Sequence, residues 1–190
     1  MKMISEIRNK QELIKYINLG NKVKYLHFWG NQPDKDNRMT KSCFSQWYES
    51  NFEVDGIAYK TAEHFMMAKK AGLFSDTKSM EKIISADHPG EAKKLGREVI
   101  GFNEKIWLEK RFELVVEGNA AKFLQNNEMK RFLMGTGDRI LVEASPVDKI
   151  WGVGLAESDN KINDPNKWKG LNLLGFALME VRGTIIKNET

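Results

Sequence analysis

The segment Thr61-Ala62-Glu63-His64-Phe65-Met66-Met67-Ala68-Lys69-Lys70 carries more chemistry than packing alone asks for. Read as a helix, it places Glu63, Met67 and Lys70 at i, i+4 and i+7, on one face. Seven residues at 1.5 Å each set Glu63 and Lys70 about 10 Å apart along the axis, too far for contact and suited to opposite ends of one substrate group. Glu63 also falls in the first turn, where the helix dipole favours a carboxylate. The same residues equally describe an acidic helix start and a solvated lysine.

A second constellation is Glu143-Ala144-Ser145-Pro146-Val147-Asp148-Lys149-Ile150-Trp151-Gly152-Val153-Gly154. A strand delivers the chain into a Pro-containing turn, Asp148 and Trp151 follow, and two glycines let the backbone approach something closely. A carboxylate beside an indole suits a ribose hydroxyl and a stacked base; the alternative is an Asp turn with a Trp anchoring it in the core. The third, Lys41-Ser42-Cys43-Phe44-Ser45-Gln46-Trp47-Tyr48, mixes polar and aromatic residues without a secondary-structure period. It suits the lining of a pocket for a planar ligand, with Lys41 reaching a phosphate or serving as an amine nucleophile. Arg97 suits a bidentate phosphate clamp or a structural ion pair. Gly135-Thr136-Gly137 follows a helix and lacks a third glycine, so it is no dinucleotide fingerprint.

Composition narrows the classes. The 190 residues suffice for one well-buried domain, and 41% apolar with 29% charged residues is ordinary globular usage. The net charge is only +4, with Lys and Asp/Glu interleaved along the chain, so a nucleic-acid or phosphate partner is permitted and not demanded. Cys43 is the single cysteine and has no His at a recognisable spacing, so it reads as a small buried residue. His27, His64 and His88 stand far apart, and no zinc spacing can be built from them. A charged N-terminus and the lack of a long apolar run point to a cytoplasmic chain with no membrane partner.

These residues need elements to hold them. Asn9 and Glu12 form a capping box opening a helix that Gly20 closes. Val23 to Trp29 alternates as a strand, and Phe52 to Tyr59 holds an Asp55-Gly56 hairpin signal. Thr61 caps a helix ended by Gly72, Asp76 caps the next, and a third covers Pro89 to Val99. Asn103 caps the longest helix, with Phe102 and Trp107 as a hydrophobic staple. Its inward face is Leu108, Phe112, Val115, Val116, Asn119 and Phe123, with polar Asn119 inside the stripe. A short helix near Glu128 to Met134, a strand through Ile140 to Ala144 and a final helix capped by Asn172 complete the chain. The expected fold is an α-rich α+β domain of about six helices with a few short strands and a hairpin.

In order, Phe44-Ser45-Gln46-Trp47, Thr61 to Lys70, Leu95-Gly96-Arg97, Ala121-Lys122-Phe123-Leu124-Gln125-Asn126, Leu141-Val142-Glu143-Ala144-Ser145, Asp148-Lys149-Ile150-Trp151-Gly152 and Asn172-Leu173-Leu174-Gly175 form a specific series. The chain resembles the NADAR, or YbiA-like, family over about residues 25–187, with the helix at 9–20 as an extension. The resemblance implies one compact YbiA-like domain over the whole chain and an N-glycosidase acting on ribosylated bases, without metal or organic cofactor. Two branches exist in the family: removal of ADP-ribose from guanine in nucleic acid, reversing a toxin-type ADP-ribosyltransferase, and cleavage of ribosylamino-pyrimidine phosphates of riboflavin biosynthesis. Lys41 to Tyr48 stands where riboflavin-linked members typically carry a Phe-Ser-Asn-Phe type segment, and with Met66-Met67 it looks more like the ADP-ribosyl-guanine branch.

Such hydrolysis passes through an oxocarbenium-like transition state at the ribose anomeric carbon. Glu63 is expected on the ribose side, with Asp148 orienting hydroxyls or assisting the base. A Schiff base from Lys41 or Lys70 is the competing route. Trp47, Ser45, Arg97, Trp151, Gly152 and Asn119 are the expected substrate contacts, for an ADP-ribose-bearing nucleotide or a nucleic acid with one modified base. A non-catalytic ADP-ribose reader is the alternative class, and the presence of Glu63 favours the enzyme.

Overall fold

The computed structural model describes residues 4–36 and 38–189. In chain order the elements are α1 (Lys10–Asn18), β1 (Tyr25–Phe28), β2 (Phe52–Val54), β3 (Ile57–Tyr59), α2 (Ala62–Leu73), α3 (Thr77–Ser85), α4 (Pro89–Arg97), α5 (Glu104–Gln125), α6 (Asn127–Met134), β4 (Ile140–Glu143) and α7 (Leu173–Glu189). Single 3-10 turns lie at Ile4–Glu6, Lys41–Phe44 and Pro165–Lys167. The described residues thus form seven α-helices and four short strands, an α-rich α+β fold. No helix among them is long and apolar enough to cross a membrane. The chain forms two compact units, one running through Ser45 and resuming at Glu128, the other comprising Gln46–Asn127.

The Gln46–Asn127 unit starts from the hairpin. Asp55 at φ 53° and Gly56 at φ 76° supply the paired positive angles of a type I′ turn, and Phe52 opposes Tyr59 across the antiparallel ladder. Those two rings and Phe65 form an aromatic cluster with centroids 5.1 to 6.0 Å apart. Phe65 belongs to α2, whose start is fixed by the Thr61 hydroxyl accepting from the His64 amide. α2 packs on α3, α4 and α5. It runs through Gly72 and ends at Leu73, so Gly72 is not its stop signal.

α5 departs from the expected face. Val115, Asn119 and Phe123 are buried, together with Gly118 and Lys122, whereas Leu108 is 49% exposed and Phe112 and Val116 are only half-buried. With 22 residues against 12 in α2, α5 is almost twice as long, so α2 covers only part of its length. Phe102 stacks edge-on against Phe74 at 5.4 Å.

In the other unit, β1 and β4 pair in parallel with Tyr25 opposite Ile140 and Phe28 opposite Glu143. α7 packs on β4, burying Leu174, Ala177, Leu178, Val181 and Ile185 as its spacing requires. Asn172 does not cap α7 in the usual way. At φ 57° it turns its amide onto the free edge of β4, accepting from the Glu143 amide at 2.9 Å and donating to the Leu141 carbonyl at 2.9 Å. A side chain there stands in for a third strand, satisfying backbone groups that burial would otherwise orphan. Asn9 caps α1 through the Glu12 amide, and Glu12 returns a bond to the Arg8 amide.

Candidate active site

Glu63 lies in the first turn of α2 and is 3% exposed. Its amide donates to the Gln46 carbonyl at 2.9 Å, and the Gln46 side chain accepts from Asn119 Nδ2 at 2.8 Å. Asn119 also donates to the Val115 carbonyl one turn back on α5, which fixes its rotamer. One loop residue therefore ties the helix bearing Glu63 to the helix bearing Asn119. Gln46 Nε2 and Asn119 Oδ1 are buried and have no hydrogen-bond partner among the described residues. Buried amides left half-satisfied are costly unless something completes them. Lys122, one turn beyond Asn119, is fully buried, with its ammonium 5.8 Å from the Tyr48 ring and 5.3 Å from that of Phe123.

His64 stands beside Glu63 in sequence yet points into the fold. Its Nε2 lies 3.2 Å from the Ala86 carbonyl, which only accepts, so Nε2 carries the proton and the Thr61 hydroxyl donates to Nδ1 at 2.8 Å. Burial holds its pKa below the ordinary 6.5, with Lys60 and His88 adding to the shift against an opposing bond from Ala86. The unfolded chain then binds the proton first as pH falls, so stability is fully present above about pH 6.5 and is lost as pH drops through the lower folded value. Wild-type Tm is expected to fall between about pH 7 and pH 5.5 more steeply than that of His64→Gln. Parallel Tm profiles for the two proteins would exclude this role.

The remaining candidates of this unit group elsewhere. Lys70 Nζ donates to the Gly96 carbonyl at 2.6 Å and sits 4.3 Å from the Phe102 ring centroid and 5.7 Å from that of Trp107. Burial, with Arg97 adding to it, pushes its pKa below the usual lysine value. Arg97 is exposed and forms no ion pair among the described residues. Trp47 is half-buried, with Lys93 Nζ 5.6 Å over its ring.

In the other unit, Asp148 Oδ1 accepts from the amides of Ile150 and Trp151, both at 2.8 Å, and its own amide donates to Ser145 Oγ at 3.1 Å. Asp148 thus holds the loop that presents Trp151, and Oδ2 makes no hydrogen bond to a described residue. Gly152 is buried; a Cβ there would lie 2.9 Å from the Glu143 carbonyl oxygen and 3.0 Å from that of Asp148, so its close approach is to the chain's own backbone. Lys41 pairs with both Glu157 oxygens, at 2.8 and 2.9 Å, on partly exposed surface. Ser45 closes the Lys41–Phe44 turn, donating its amide to the Ser42 carbonyl at 3.0 Å, and Cys43 is buried. Among the described residues no group of three His, Cys, Asp or Glu side chains is placed to hold a metal ion.

The family model for the NADAR domain matches residues 27–186. The chain belongs to the NADAR domain family. An N-glycosidase of Acanthamoeba polyphaga mimivirus is 43% identical over 84% of this chain and 95% of that protein. The N-glycosidase YbiA of Escherichia coli is 32% identical over 74% of this chain and 78% of its own length. An NMR structure of E. coli YbiA superposes with a TM-score of 0.69 at 26% identity, covering 89% of each chain. A riboflavin biosynthesis protein of Vibrio vulnificus is 30% identical over 80% of this chain, which spans 36% of that protein. Within the NADAR family the chain is an N-glycosidase, a hydrolase of N-glycosyl bonds.

Two residues of this NADAR domain escaped sequence reasoning. Gln46 sits between the pocket-like aromatic residues and has no periodicity to single it out, while Lys122 looks like a solvated lysine. The available signal was the position of Lys122, three residues after Asn119 on the apolar stripe of α5, where a charge needs a buried purpose.

Proposed function

We propose that this N-glycosidase removes ADP-ribose from a guanine base in nucleic acid, and that it works in functional pairing with a toxin-type ADP-ribosyltransferase. The observation that supports it is the buried Glu63 side chain at the head of α2, whose backbone amide donates to the carbonyl of Gln46 while the Gln46 side chain accepts from Asn119. As the bond from the anomeric carbon to the base nitrogen breaks, positive charge builds on the ribose and the departing base takes up a proton. A carboxylate held out of bulk water stabilises that charge strongly and can draw a proton from the water that attacks the anomeric carbon. Asn119 and Gln46 suit ribose hydroxyls, because each retains a polar atom with no hydrogen bond to a described residue. The Lys41 to Tyr48 segment, with Trp47 half-exposed, favours the nucleotide substrate.

The V. vulnificus relative's name favours a second reading, cleavage of a ribosylamino-pyrimidine phosphate. Both are tested by offering the purified protein an oligonucleotide ADP-ribosylated on guanine and a ribosylamino-pyrimidine phosphate side by side. Release of ADP-ribose from the first alone is the expected result. Turnover of the second alone would replace it with the riboflavin-type reaction. Borohydride added during turnover is expected to leave the protein unlabelled; an adduct mapped to Lys41 or Lys70 would put an amine in place of water.

A further inference from the structure

A strip of alternating cations and rings runs along the Gln46–Asn127 unit. At one end, Trp47 lies against the first turn of α4, where a Cβ on Gly90 would be 3.6 Å from the indole, and Lys93 sits 5.6 Å over its ring. Arg97 follows Lys93 by four residues, so the two are surface neighbours about 6 Å apart along α4. At the other end, Lys70 is flanked by Phe102 and Trp107 and fixed to the Gly96 carbonyl. Arg97 is exposed, Phe102 is 44% exposed, and neither Lys93 nor Arg97 pairs with a carboxylate among the described residues. Of the acids on or beside α4, Glu91 accepts from the Asp87 amide, and Glu98 lies about 100° around the helix from Arg97.

Rings that take unstacked bases, alternating with cations at phosphate spacing, are the equipment for single-stranded nucleic acid; a duplex keeps its base faces covered. We infer that this strip is a docking track for the single strand flanking the modified nucleotide. Trp47 and Phe102 take bases on their faces, while Lys93 and Arg97 take the phosphates between them. A base arriving on Trp47 displaces the Lys93 ammonium from the ring to the neighbouring phosphate. Lys70 holds the end of α4 and the Phe102 ring in place and stays within the fold. The inference rests on the nucleic-acid reading above, and binding of an unmodified strand tests it apart from cleavage.

Fluorescence anisotropy with a short unmodified oligonucleotide, single-stranded or annealed, reads it out. The double change Lys93→Gln with Arg97→Gln is expected to weaken single-strand binding about tenfold and to flatten the slope of log K against log salt by about 1.4, or about 0.7 for each phosphate released. Phe102→Ala should weaken it about tenfold with the slope unchanged. Lys22→Gln with Lys24→Gln removes the same charge from exposed positions of the other unit and should leave both quantities alone. Equal losses in the control and strip variants, or tighter binding of the duplex, would overturn the track. Binding as described with no release of ADP-ribose from a modified strand would overturn the glycohydrolase reading alone.

Discussion

Glu63→Gln should fold as wild type and lose about a hundredfold to ten-thousandfold in kcat, with KM little changed. The substitution keeps the shape of the side chain and the amide that donates to the Gln46 carbonyl, so the tie to Asn119 survives. It removes the negative charge. At the head of α2 that costs stability of only about 0.3–1 kcal/mol through the helix dipole. The transition state loses far more, because charge at the anomeric carbon develops only as the base departs and is met there by a carboxylate shielded from water. Single-turnover release of ADP-ribose, with circular dichroism as the folding control, measures the effect. Wild-type turnover in Glu63→Gln would remove Glu63 from the mechanism.

Gly175→Ala should destabilise this chain strongly, lowering Tm by about 10 °C, equivalent to about 3–5 kcal/mol. A Cβ at Gly175 would lie 2.0 Å from the Leu141 carbonyl oxygen and 2.5 and 2.7 Å from Asn172 Nδ2 and Oδ1. The first is backbone, and the Asn172 amide is held by its two bonds to β4. α7 has to lift off β4, and the two bonds of Asn172 to the strand edge stretch or break, leaving buried backbone groups unsatisfied. Gly72→Ala is the contrast: its Cβ would meet only the Met80 sulfur, at 3.6 Å, so it should be neutral or stabilising by up to about 1 kcal/mol. Thermal melts of both variants decide the matter; a Gly175→Ala protein melting within 2 °C of wild type would show that α7 can shift freely.

Lys122 shows where local reasoning stops. In sequence it is one of 30 basic residues, and its place three residues after Asn119 on the apolar stripe is the one sign that sets it apart from a solvated lysine. In the fold it is fully buried behind Asn119, which makes the C-terminal half of α5 a polar lining rather than a plain core stripe. Arg97 moved the opposite way: as a sequence feature it suits an ion pair or a clamp, and in the fold it is exposed and paired with no carboxylate among the described residues.

The sequence alone determined where elements begin and turn. Asn9, Thr61, Asp76 and Asn103 all accept from the amide three residues on, and Asp55-Gly56 adopts the paired positive angles expected of it. These are bonds within four residues, so their energies are written locally. It also marked Glu63 and Asn119, the first by its place in a helix's opening turn and the second by polarity inside an apolar stripe. Only the tertiary structure decided that Gln46 links those two, that Asn172 serves as a strand edge instead of a cap, and that the two glycines from which α7 and the Trp151 loop are built face the chain's own carbonyls. It decided, too, that His64 is tied inside the fold between the Thr61 hydroxyl and the Ala86 carbonyl. The physical reason is common to all of them. Caps and turns are settled by neighbours along the chain, whereas burial, close approach and polar satisfaction depend on which distant segment arrives, and one chain's local pattern is compatible with many arrivals.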